Sequence, residues 1–361
     1  MPSVRSQILF YEEICNGEIK MQKLKYSFKN DYSELAHPQI LAVLSVAGNK
    51  QFEGYGLDAY SLRASELIKT KIGKSFADVH FVSGGTQANL IVISSILRAH
   101  EAVIACETGH IFVNEAGAIE ATGHKICTAK GSNGKLDVSG IKAMVETHTR
   151  EHMVKPRLVF ISQSTEIGSV YTKAELVVIS DYCKNNGLYL YLDGARLGAG
   201  LNSHACDLSY ADVAELVDVF YIGGTKNGAL FGEAIVICND DLKQDFRYHL
   251  KQKGALLAKG ASVGVQFETL FENNLYDELA KHAYDMAMEL ANGIKEQGYE
   301  FLCDVETNQI FPIFPAELTE KLRGLYDFHD WQQTGAIRLV TSWATPKSIV
   351  DEFLEDLKKL R

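Results

Sequence analysis

The stretch DVFYIGGTKNG, residues 218–228, reads as a buried strand that ends in a glycine turn. A single lysine, Lys226, follows the two glycines, with Thr225 directly before it. An amine at the end of a buried strand, with little steric bulk around it, is suited to form a Schiff base with an aldehyde. Taken alone, the pattern also fits a turn that exposes its lysine to solvent. The rest of the chain decides between these two interpretations.

Short β-branched or aromatic runs alternate with helix-length amphipathic segments from about residue 79 to residue 238. This alternation is typical of an α/β protein, and the nearly continuous hydrophobicity of the runs predicts a sheet covered on both faces. Helices are predicted at Thr86–Arg98, Ser139–Met153 and Lys173–Asn186. Seven strands are predicted, at Val79–Val82, Ala102–Cys106, Lys125–Thr128, Leu158–Ile161, Leu188–Leu192, Val219–Ile222 and Ala234–Cys238.

The composition restricts the class of partner. The chain has 361 residues, and its formal net charge of -10 disfavours nucleic acid or an anionic membrane surface as the main partner, since both require clustered Lys and Arg. The seven cysteines are odd in number and none has CxxC spacing, which is typical of a reduced, intracellular protein. Neither a signal peptide nor a membrane-spanning run is predicted, so we expect a cytoplasmic protein that acts on a small molecule.

A glycine turn at the start of a helix predicts an anion site. The segment FVSGGTQAN, residues 81–89, reads as a strand, a turn and a helix start, and it contains Gly85, Thr86 and Gln87. Free backbone N–H groups at such a helix N-terminus bind phosphate well. The alternative is that Ser83 and Thr86 only cap the helix.

Four further side chains carry chemistry at the predicted strand ends or in the smaller C-terminal part. His110 could stack on a planar ring, or only bond within its loop. Asp193 ends a buried strand, where a carboxylate needs a cationic partner. That partner is either a protonated pyridine nitrogen or Arg196. Arg338 lies in an apolar strand, where it could clamp a carboxylate or face solvent.

One rival motif points to a metal enzyme. Residues 148–152, His-Thr-Arg-Glu-His, fit the inverted zinc-peptidase pattern, in which His148 and His152 would bind zinc and Glu151 would act as a base. The stretch is polar and lies directly before a predicted strand. It therefore also fits the solvent-exposed end of a helix, and we predict no metal site.

These segments together resemble the threonine aldolase and β-eliminating lyase family of fold-type I enzymes, which use pyridoxal 5'-phosphate (PLP). The likeness spans roughly residues 26–345, and the order of its motifs makes it specific. The resemblance implies a large domain with a mostly parallel seven-stranded sheet and a smaller α+β C-terminal domain. The motifs are Asn30-Asp-Tyr with Ala36-His-Pro, Tyr55-Gly-Leu-Asp58, Gly84-Gly-Thr-Gln-Ala-Asn89, His110 with Glu115-Ala-Gly117, Asp193-Gly-Ala-Arg196 and Thr225-Lys226.

The resemblance also implies a role for each site residue. Lys226 would link covalently to PLP, Asp193 would pair with the pyridinium nitrogen, and His110 would stack on the ring. The Gly85–Thr86 turn would hold the phosphate of PLP. The remaining cofactor-binding and substrate-binding residues implied are Gly85, Thr86, Gln87, Arg196 and Thr225 for PLP, and Asn30, Arg196 and Arg338 for the substrate carboxylate.

The implied reaction is retro-aldol cleavage of an L-β-hydroxy-α-amino acid to glycine and an aldehyde. One departure concerns the base that acts on the β-hydroxyl: low-specificity bacterial members commonly carry a histidine in an Asn-Thr-His-Asn-Gly run, whereas this chain has Glu166 in Ser-Thr-Glu-Ile-Gly. Glu166 could be the base, activate a water or only bond the backbone, and a phenylserine-like substrate becomes plausible beside L-threonine and L-allo-threonine. The alternatives that keep PLP are β-elimination, transamination, racemisation and a regulator that binds PLP without turnover.

We divide the chain accordingly. Residues 1–20 are predicted to be an N-terminal extension, and residues 21–39 a segment that packs with the small domain and the active site. The large PLP-binding domain is predicted at residues 40–260 and the small domain at residues 261–361. The family resemblance implies a homodimer or homotetramer with active sites at the subunit interface, where Lys251, Lys253 or Lys259 of a neighbouring subunit would reach the phosphate.

Overall fold

A computed structural model describes residues 25–331 and 334–361. The extension predicted at residues 1–20 lies outside the described residues. The strands are β1 (Tyr26–Ser27), β2 (Asp78–Val82), β3 (Glu101–Cys106), β4 (Lys125–Ala129), β5 (Lys155–Ser162), β6 (Tyr189–Asp193), β7 (Val219–Gly223), β8 (Glu233–Ile237), β9 (Glu300–Phe301), β10 (Gln309–Ile310), β11 (Pro312–Ile313), β12 (Tyr326–Asp327), β13 (His329–Trp331) and β14 (Ala336–Val340).

Thirteen α-helices lie within the described residues, with two short 3-10 turns at Glu120–Thr122 and Asp240–Leu242. The helices are α1 (Pro38–Ala47), α2 (Ala59–Ile72), α3 (Gly85–Ile96), α4 (His110–Val113), α5 (Val138–Thr147), α6 (Lys173–Asn185), α7 (Leu197–Leu201), α8 (Tyr210–Leu216), α9 (Phe246–Gln252), α10 (Ala261–Glu272), α11 (Leu275–Glu296), α12 (Ala316–Arg323) and α13 (Lys347–Leu360). None of the described helices combines the length and the apolar character needed to cross a membrane.

The seven predicted strands are confirmed, and they form one sheet in the order β2-β8-β7-β6-β5-β3-β4. Strand β8 runs antiparallel to both of its neighbours, and the remaining pairs are parallel. The predicted mostly parallel sheet is therefore confirmed. Successive residues of β7 point to opposite faces: Phe220 and Ile222 enter one apolar cluster, and Val219 and Tyr221 enter the other. The sheet is thus buried on both faces, as its continuous hydrophobicity predicts.

Local sequence signals explain the helix ends. Helix α6 begins at a capping box in which the Thr172 and Glu175 side chains bond each other's backbone N–H groups, as expected for this residue pair. The helix predicted at Ser139–Met153 is wrong at its C-terminal end, because α5 stops at Thr147. At this end the first carbonyl without an intrahelical N–H partner is approached by a side chain, since His148 Nδ1 lies 2.8 Å from the Met144 carbonyl oxygen.

The C-terminal part forms a smaller antiparallel sheet, in which β14 pairs with β10, β11 and β13, and β11 pairs with β9. Side chains of α11, α12 and α13 cover it in a third apolar cluster. The N-terminal segment joins this part, since β1 pairs in parallel with β12 and the buried Phe28 carbonyl accepts the Val340 N–H. Helix α10 packs instead against α1 and α2 beside the large sheet. The carboxyl ends of the parallel strands meet at one edge, which is where such sheets place their binding sites.

We predict that Gly264→Ala destabilises the fold. A Cβ at Gly264 in α10 would lie 2.6 Å from the Ser61 backbone nitrogen and 2.8 Å from its Cα, so α10 and α2 would have to separate. Overpacking of this kind costs about 1–3 kcal/mol of unfolding free energy, which urea denaturation measures. Gly48→Ala is the control, because its Cβ meets atoms only at 3.4 Å or beyond in a right-handed conformation. Equal stability of the two variants would contradict this packing account.

Candidate active site

A cavity of about 540 Å³ opens at the carboxyl edge of the large sheet. Its volume lies in the range of roughly 300–1,000 Å³ that is usual for small-molecule sites. The loops after β2, β3, β5, β6 and β7 contribute to its wall, and β14 of the smaller sheet closes one side. The lining residues are Tyr32, Ser83, Gly84, Gly85, Thr86, His110, Asn114, Ser164, Glu166, Asp193, Ala195, Arg196, Tyr221, Thr225, Lys226, Glu233 and Arg338.

Lys226 is a half-buried lysine that lines this cavity rather than a lysine exposed in a turn. The Gly224 and Thr225 N–H groups, directly before it, both donate to the Gly232 carbonyl at 3.1 Å. Burial lowers the pKa of Lys226, and the charge of Arg196 lowers it further, against the opposing effect of nearby carboxylates. A lowered pKa makes a lysine amine available in its neutral, nucleophilic form.

Asp193 is a buried carboxylate that is held by neutral donors. It receives hydrogen bonds from the Tyr221 hydroxyl at 2.5 Å, from Asn89 Nδ2 at 3.1 Å and from the Ala195 N–H at 3.0 Å. Only 4% of it is exposed, and no cationic side chain of the described residues forms an ion pair with it. The Asp193–Arg196 ion pair, which was the alternative interpretation, is wrong because Arg196 pairs elsewhere. The carboxylate is thus available for a cationic ligand.

His110 is oriented by a second buried carboxylate. Its Nδ1 lies 2.7 Å from Glu115 Oε1, which also accepts a hydrogen bond from Asn89 Nδ2 at 2.7 Å. Burial lowers the pKa of His110, but the Glu115 hydrogen bond and the charges of Glu166 and Asp193 raise it more, so its pKa lies above the ordinary value. Because Asn89 also bonds Asp193, one hydrogen-bond network fixes His110 and Asp193 together.

The glycine turn after β2 leads directly into α3. Gly84 is the N-cap residue of that helix, and no side chain caps its first N–H groups. The side chain of Gln87 accepts hydrogen bonds from the Ser83 N–H at 3.1 Å and from the Ser83 hydroxyl at 2.8 Å. A Cβ on Gly85 would lie 2.9 Å from the Tyr221 hydroxyl oxygen, so only glycine fits there without a shift. Uncapped N–H groups at a helix start in a cavity are suited to a phosphate.

Arg196 forms a bidentate ion pair with Asp31 of the N-terminal segment, with Nε–Oδ2 and Nη2–Oδ1 distances of 2.7 and 3.0 Å. Asp31 is 1% exposed, and Asn308 Nδ2 also donates to it at 3.0 Å. Burial raises the pKa of Asp31, but the charges of Arg196 and Lys226 and these hydrogen bonds lower it more, so the net pKa is below its ordinary value. The N-terminal segment is thereby held at the site.

Arg338 and Glu166 also line the cavity. Arg338 Nη2 donates to the Lys29 carbonyl at 3.0 Å, and its buried Nε has no partner among the described residues. Burial lowers the pKa of Arg338, and the charge of Arg196 lowers it further. Two adjacent guanidinium groups, one with an unpartnered donor, favour an anionic ligand. The charge of Glu166 raises the pKa of Arg196 as well as that of His110.

Asn30 and Gln87 were predicted at the site but do not line the cavity. Asn30 Oδ1 accepts hydrogen bonds from the Tyr32 N–H and the Ser33 hydroxyl, both at 3.0 Å, so it holds the turn that carries Tyr32. Gln87 holds Ser83 and also donates to the Lys253 carbonyl.

Sequence reasoning assigned no role to Asp31 or Glu233, although both are buried at the site. The need of a buried arginine for a counter-charge is the signal that could have identified Asp31.

The zinc alternative has no support in the geometry. His148 lies just after the end of α5, where its Nε2 lies 3.6 Å from Cys127 Sγ. Glu151 and His152 follow in an exposed turn outside the helix that the motif requires. Within residues 25–331 and 334–361, no group of three or more His, Cys, Asp or Glu side chains is arranged to hold a metal ion.

The cavity fits PLP in three respects. Lys226 offers a half-buried amine with a lowered pKa, and the uncapped start of α3 offers N–H groups to a phosphate. Asp193 offers a carboxylate that lacks an ion-pair partner among the described residues, as a pyridinium nitrogen requires. Lys226, Asp193 and the start of α3 all lie in one cavity.

Comparison with known proteins agrees with this chemistry. The family model described as "Beta-eliminating lyase" matches residues 45–316. A low-specificity L-threonine aldolase from a Pseudomonas species is 34% identical over 338 residues, which are 91% of this chain and 96% of that protein. The structure of Leishmania major threonine aldolase superimposes with a TM-score of 0.91 at 47% identity, covering 93% of this chain and 99% of that one. A mutant aspartate aminotransferase of Thermus thermophilus shares only the fold, at 14% identity, a TM-score of 0.71 and coverage of 100% of this chain and 97% of its own.

We predict that Asp31→Asn destabilises the protein, because it leaves the buried Arg196 without its counter-charge. The loss is about 3 kcal/mol of unfolding free energy at pH 7, measured by urea denaturation. Since the pKa of Asp31 is lowered by folding, its contribution is present above the ordinary carboxyl range and disappears as the pH falls through the folded pKa.

Asp285→Asn is the control for this variant, because the Lys281–Asp285 pair is exposed on one helix and contributes about 0.5 kcal/mol or less. If Asp31→Asn destabilised the protein no more than this control, the buried pair would have no structural importance.

Proposed function

We propose that this chain, which belongs to the β-eliminating lyase family and is a PLP-dependent lyase, cleaves an L-β-hydroxy-α-amino acid to glycine and an aldehyde. The substrate is L-threonine, L-allo-threonine or a phenylserine-like amino acid. The observation that carries the proposal is the convergence of Lys226, Asp193 and two arginines in one cavity. When bound, PLP supplies an aldehyde that links to amines and a ring that accepts the electron pair released at Cα.

The geometry of the cavity supports a role for each of the residues that would hold the cofactor. Lys226 would be its covalent anchor, and the network around Asp193 would offer a carboxylate to the ring nitrogen. His110, held by Glu115, would stack on the ring, and the Gly85–Thr86 turn would bind the phosphate. Because Asp193 and His110 are held by hydrogen bonds before the ligand arrives, these two groups need little reorganisation during the reaction.

The substrate end of the cavity contains the charges that a β-hydroxy amino acid needs. Arg338 and Arg196 bind the carboxylate and thereby set the orientation of the Cα–Cβ bond, which decides which bond breaks. Glu166 accepts the proton of the β-hydroxyl, the Cα–Cβ bond breaks, and the aldehyde leaves. A proton then returns to Cα, and glycine is released. The negative charge of Glu166 acts to raise the pKa values of His110, Arg196 and Lys226. This interaction with three groups of the cavity supports a position of Glu166 beside the reacting atoms.

We also propose an assembly and a division of the chain. Large apolar side chains are exposed along residues 35–62, among them Leu35 and Val46 at 69% each, which supports a homodimer or homotetramer with active sites at the interface. We place residues 40–260 in the cofactor-binding domain and residues 261–361 in the small domain, of which the first helix, α10, packs beside the large sheet. Residues 25–39 join the two parts at the site through the Asp31–Arg196 pair and the Lys29 carbonyl. Six cysteines of the described residues are free thiols, which supports a cytoplasmic location.

The reaction is tested by supplying L-threonine, L-allo-threonine and phenylserine and quantifying glycine and aldehyde. We expect the two products in equal amounts from at least one of these substrates, and only background release from Lys226→Ala, because that variant lacks the covalent anchor. Coupling acetaldehyde to alcohol dehydrogenase gives the rate. Pyruvate and ammonia from serine, without aldehyde from any hydroxy amino acid, would contradict the proposal.

Glu166→Gln tests the assignment of the base. We expect kcat for aldehyde release to fall by about 10²–10⁴-fold, the usual contribution of a general base. Exchange of the glycine Cα proton in D₂O, followed by NMR, serves as the internal control, because glycine has no β-hydroxyl and this exchange should persist. If both activities fell together, Glu166 would support the site as a whole instead of acting on the hydroxyl.

A further inference from the structure

Glu233 occupies a central position that the reaction above does not use. It is the first residue of β8, and its backbone lies opposite Val82 of β2 on one side and Gly223 of β7 on the other. Strand β2 leads into the glycine turn of the phosphate site, and β7 leads to Lys226. Glu233 therefore lies between the two segments that would hold the cofactor, and its side chain is 4% exposed.

The side chain of Glu233 is bonded to the segment that carries the lysine. Glu233 Oε2 accepts a hydrogen bond from the Gly224 N–H at 2.8 Å. The next residue, Thr225, is held by the other side of the same strand end, because its hydroxyl accepts the Gly232 N–H at 3.0 Å. Both residues directly before Lys226 are thus fixed to the start of β8.

The charges around Glu233 link it to the active site. Burial raises its pKa to about 7, while the Thr225 hydroxyl, the Gly224 N–H and the charge of Lys226 lower it and Asp193 raises it. Burial raises the pKa values of Tyr191, Tyr221 and Tyr276, and the charge of Glu233 raises them further. The positive charge of Lys226 favours the ionised form of Glu233, so the two groups are coupled electrostatically.

We propose that Glu233 is a positioning residue for Lys226: its carboxyl group holds the Gly224 N–H at the start of β8, two residues before the lysine, and so helps to determine where the amine lies. This inference rests on the function proposed above. A carboxylate there also favours the protonated form of the Lys226 nitrogen, so loss of its charge alters the proton affinity of that nitrogen.

Two variants separate the hydrogen bond from the charge. Glu233→Gln keeps an acceptor for the Gly224 N–H but removes the charge, and Glu233→Ala removes both. We expect kcat to fall about 100-fold in Glu233→Ala, the order of loss that a displacement of about 1 Å produces. Glu233→Gln should stay within about fivefold of the unmodified protein, because a neutral hydrogen bond replaces a charge-assisted one.

The visible absorbance of the PLP-loaded protein, followed against pH, reports the protonation of the Lys226 nitrogen. In Glu233→Gln we expect the midpoint of this titration to move by about 0.5 unit or more to lower pH, since an opposite charge has been removed. The titration requires no amino-acid substrate, so it decides the role of Glu233 even if no hydroxy amino acid is cleaved. It also decides the role if Glu233→Ala fails to fold.

Glu101 provides a matched control at the opposite edge of the sheet. It is 6% exposed, begins β3 and accepts the Arg98 N–H through Oε2 at 2.9 Å, so it is also a buried glutamate that holds a backbone N–H. Glu101→Gln and Glu101→Ala should leave both kcat and the titration midpoint unchanged. The proposal is overturned if Glu233→Ala keeps kcat within about threefold, or if the midpoint of Glu233→Gln equals that of the unmodified protein.

Discussion

The burial of the Asp193 carboxylate is the constraint on which the site depends. A carboxylate at the end of a fully covered strand is costly unless its oxygens are bonded. Tyr221 and Asn89 supply those bonds, and Asn89 is held in turn by the Tyr191 hydroxyl, which donates to it at 2.8 Å. Asn89 also donates to Glu115, which orients His110. Strands β6 and β7, helix α3 and the loop after β3 are thereby fixed relative to one another by one polar network.

The other half of the site depends on segments that are far apart in sequence. Asp31 binds Arg196 across 165 positions and Asn308 across 277, and Arg338 donates to the Lys29 carbonyl across 309. The substrate end of the cavity exists only when the N-terminal segment, the large sheet and the small sheet are all folded together. The orientation of the substrate-binding groups therefore depends on the folding of the whole chain.

Much of this architecture could be predicted from the sequence, because the strands are continuous apolar runs and Lys226 and Asp193 each follow such a run directly. The strands and the positions of these two residues depend only on the local pattern of apolar residues. The roles of Asp31 and Glu233 could not be predicted this way, because each depends on a partner that only the folded chain brings near. The position of Asn30 could not be predicted for the same reason. Its side chain bonds its own turn, and the order of motifs along the sequence carries no information about such a bond. The length of helix α5 was overestimated because a side chain, in place of a further turn, approaches its first unpartnered carbonyl.

The proposed reaction requires that PLP is attached covalently to Lys226. Borohydride reduction of the protein loaded with PLP, followed by peptide mapping, identifies the attached lysine. We expect one pyridoxyl group per chain, on the peptide that contains Lys226, with loss of the visible absorbance on reduction. A pyridoxyl group on another lysine, or none on any peptide, would contradict it.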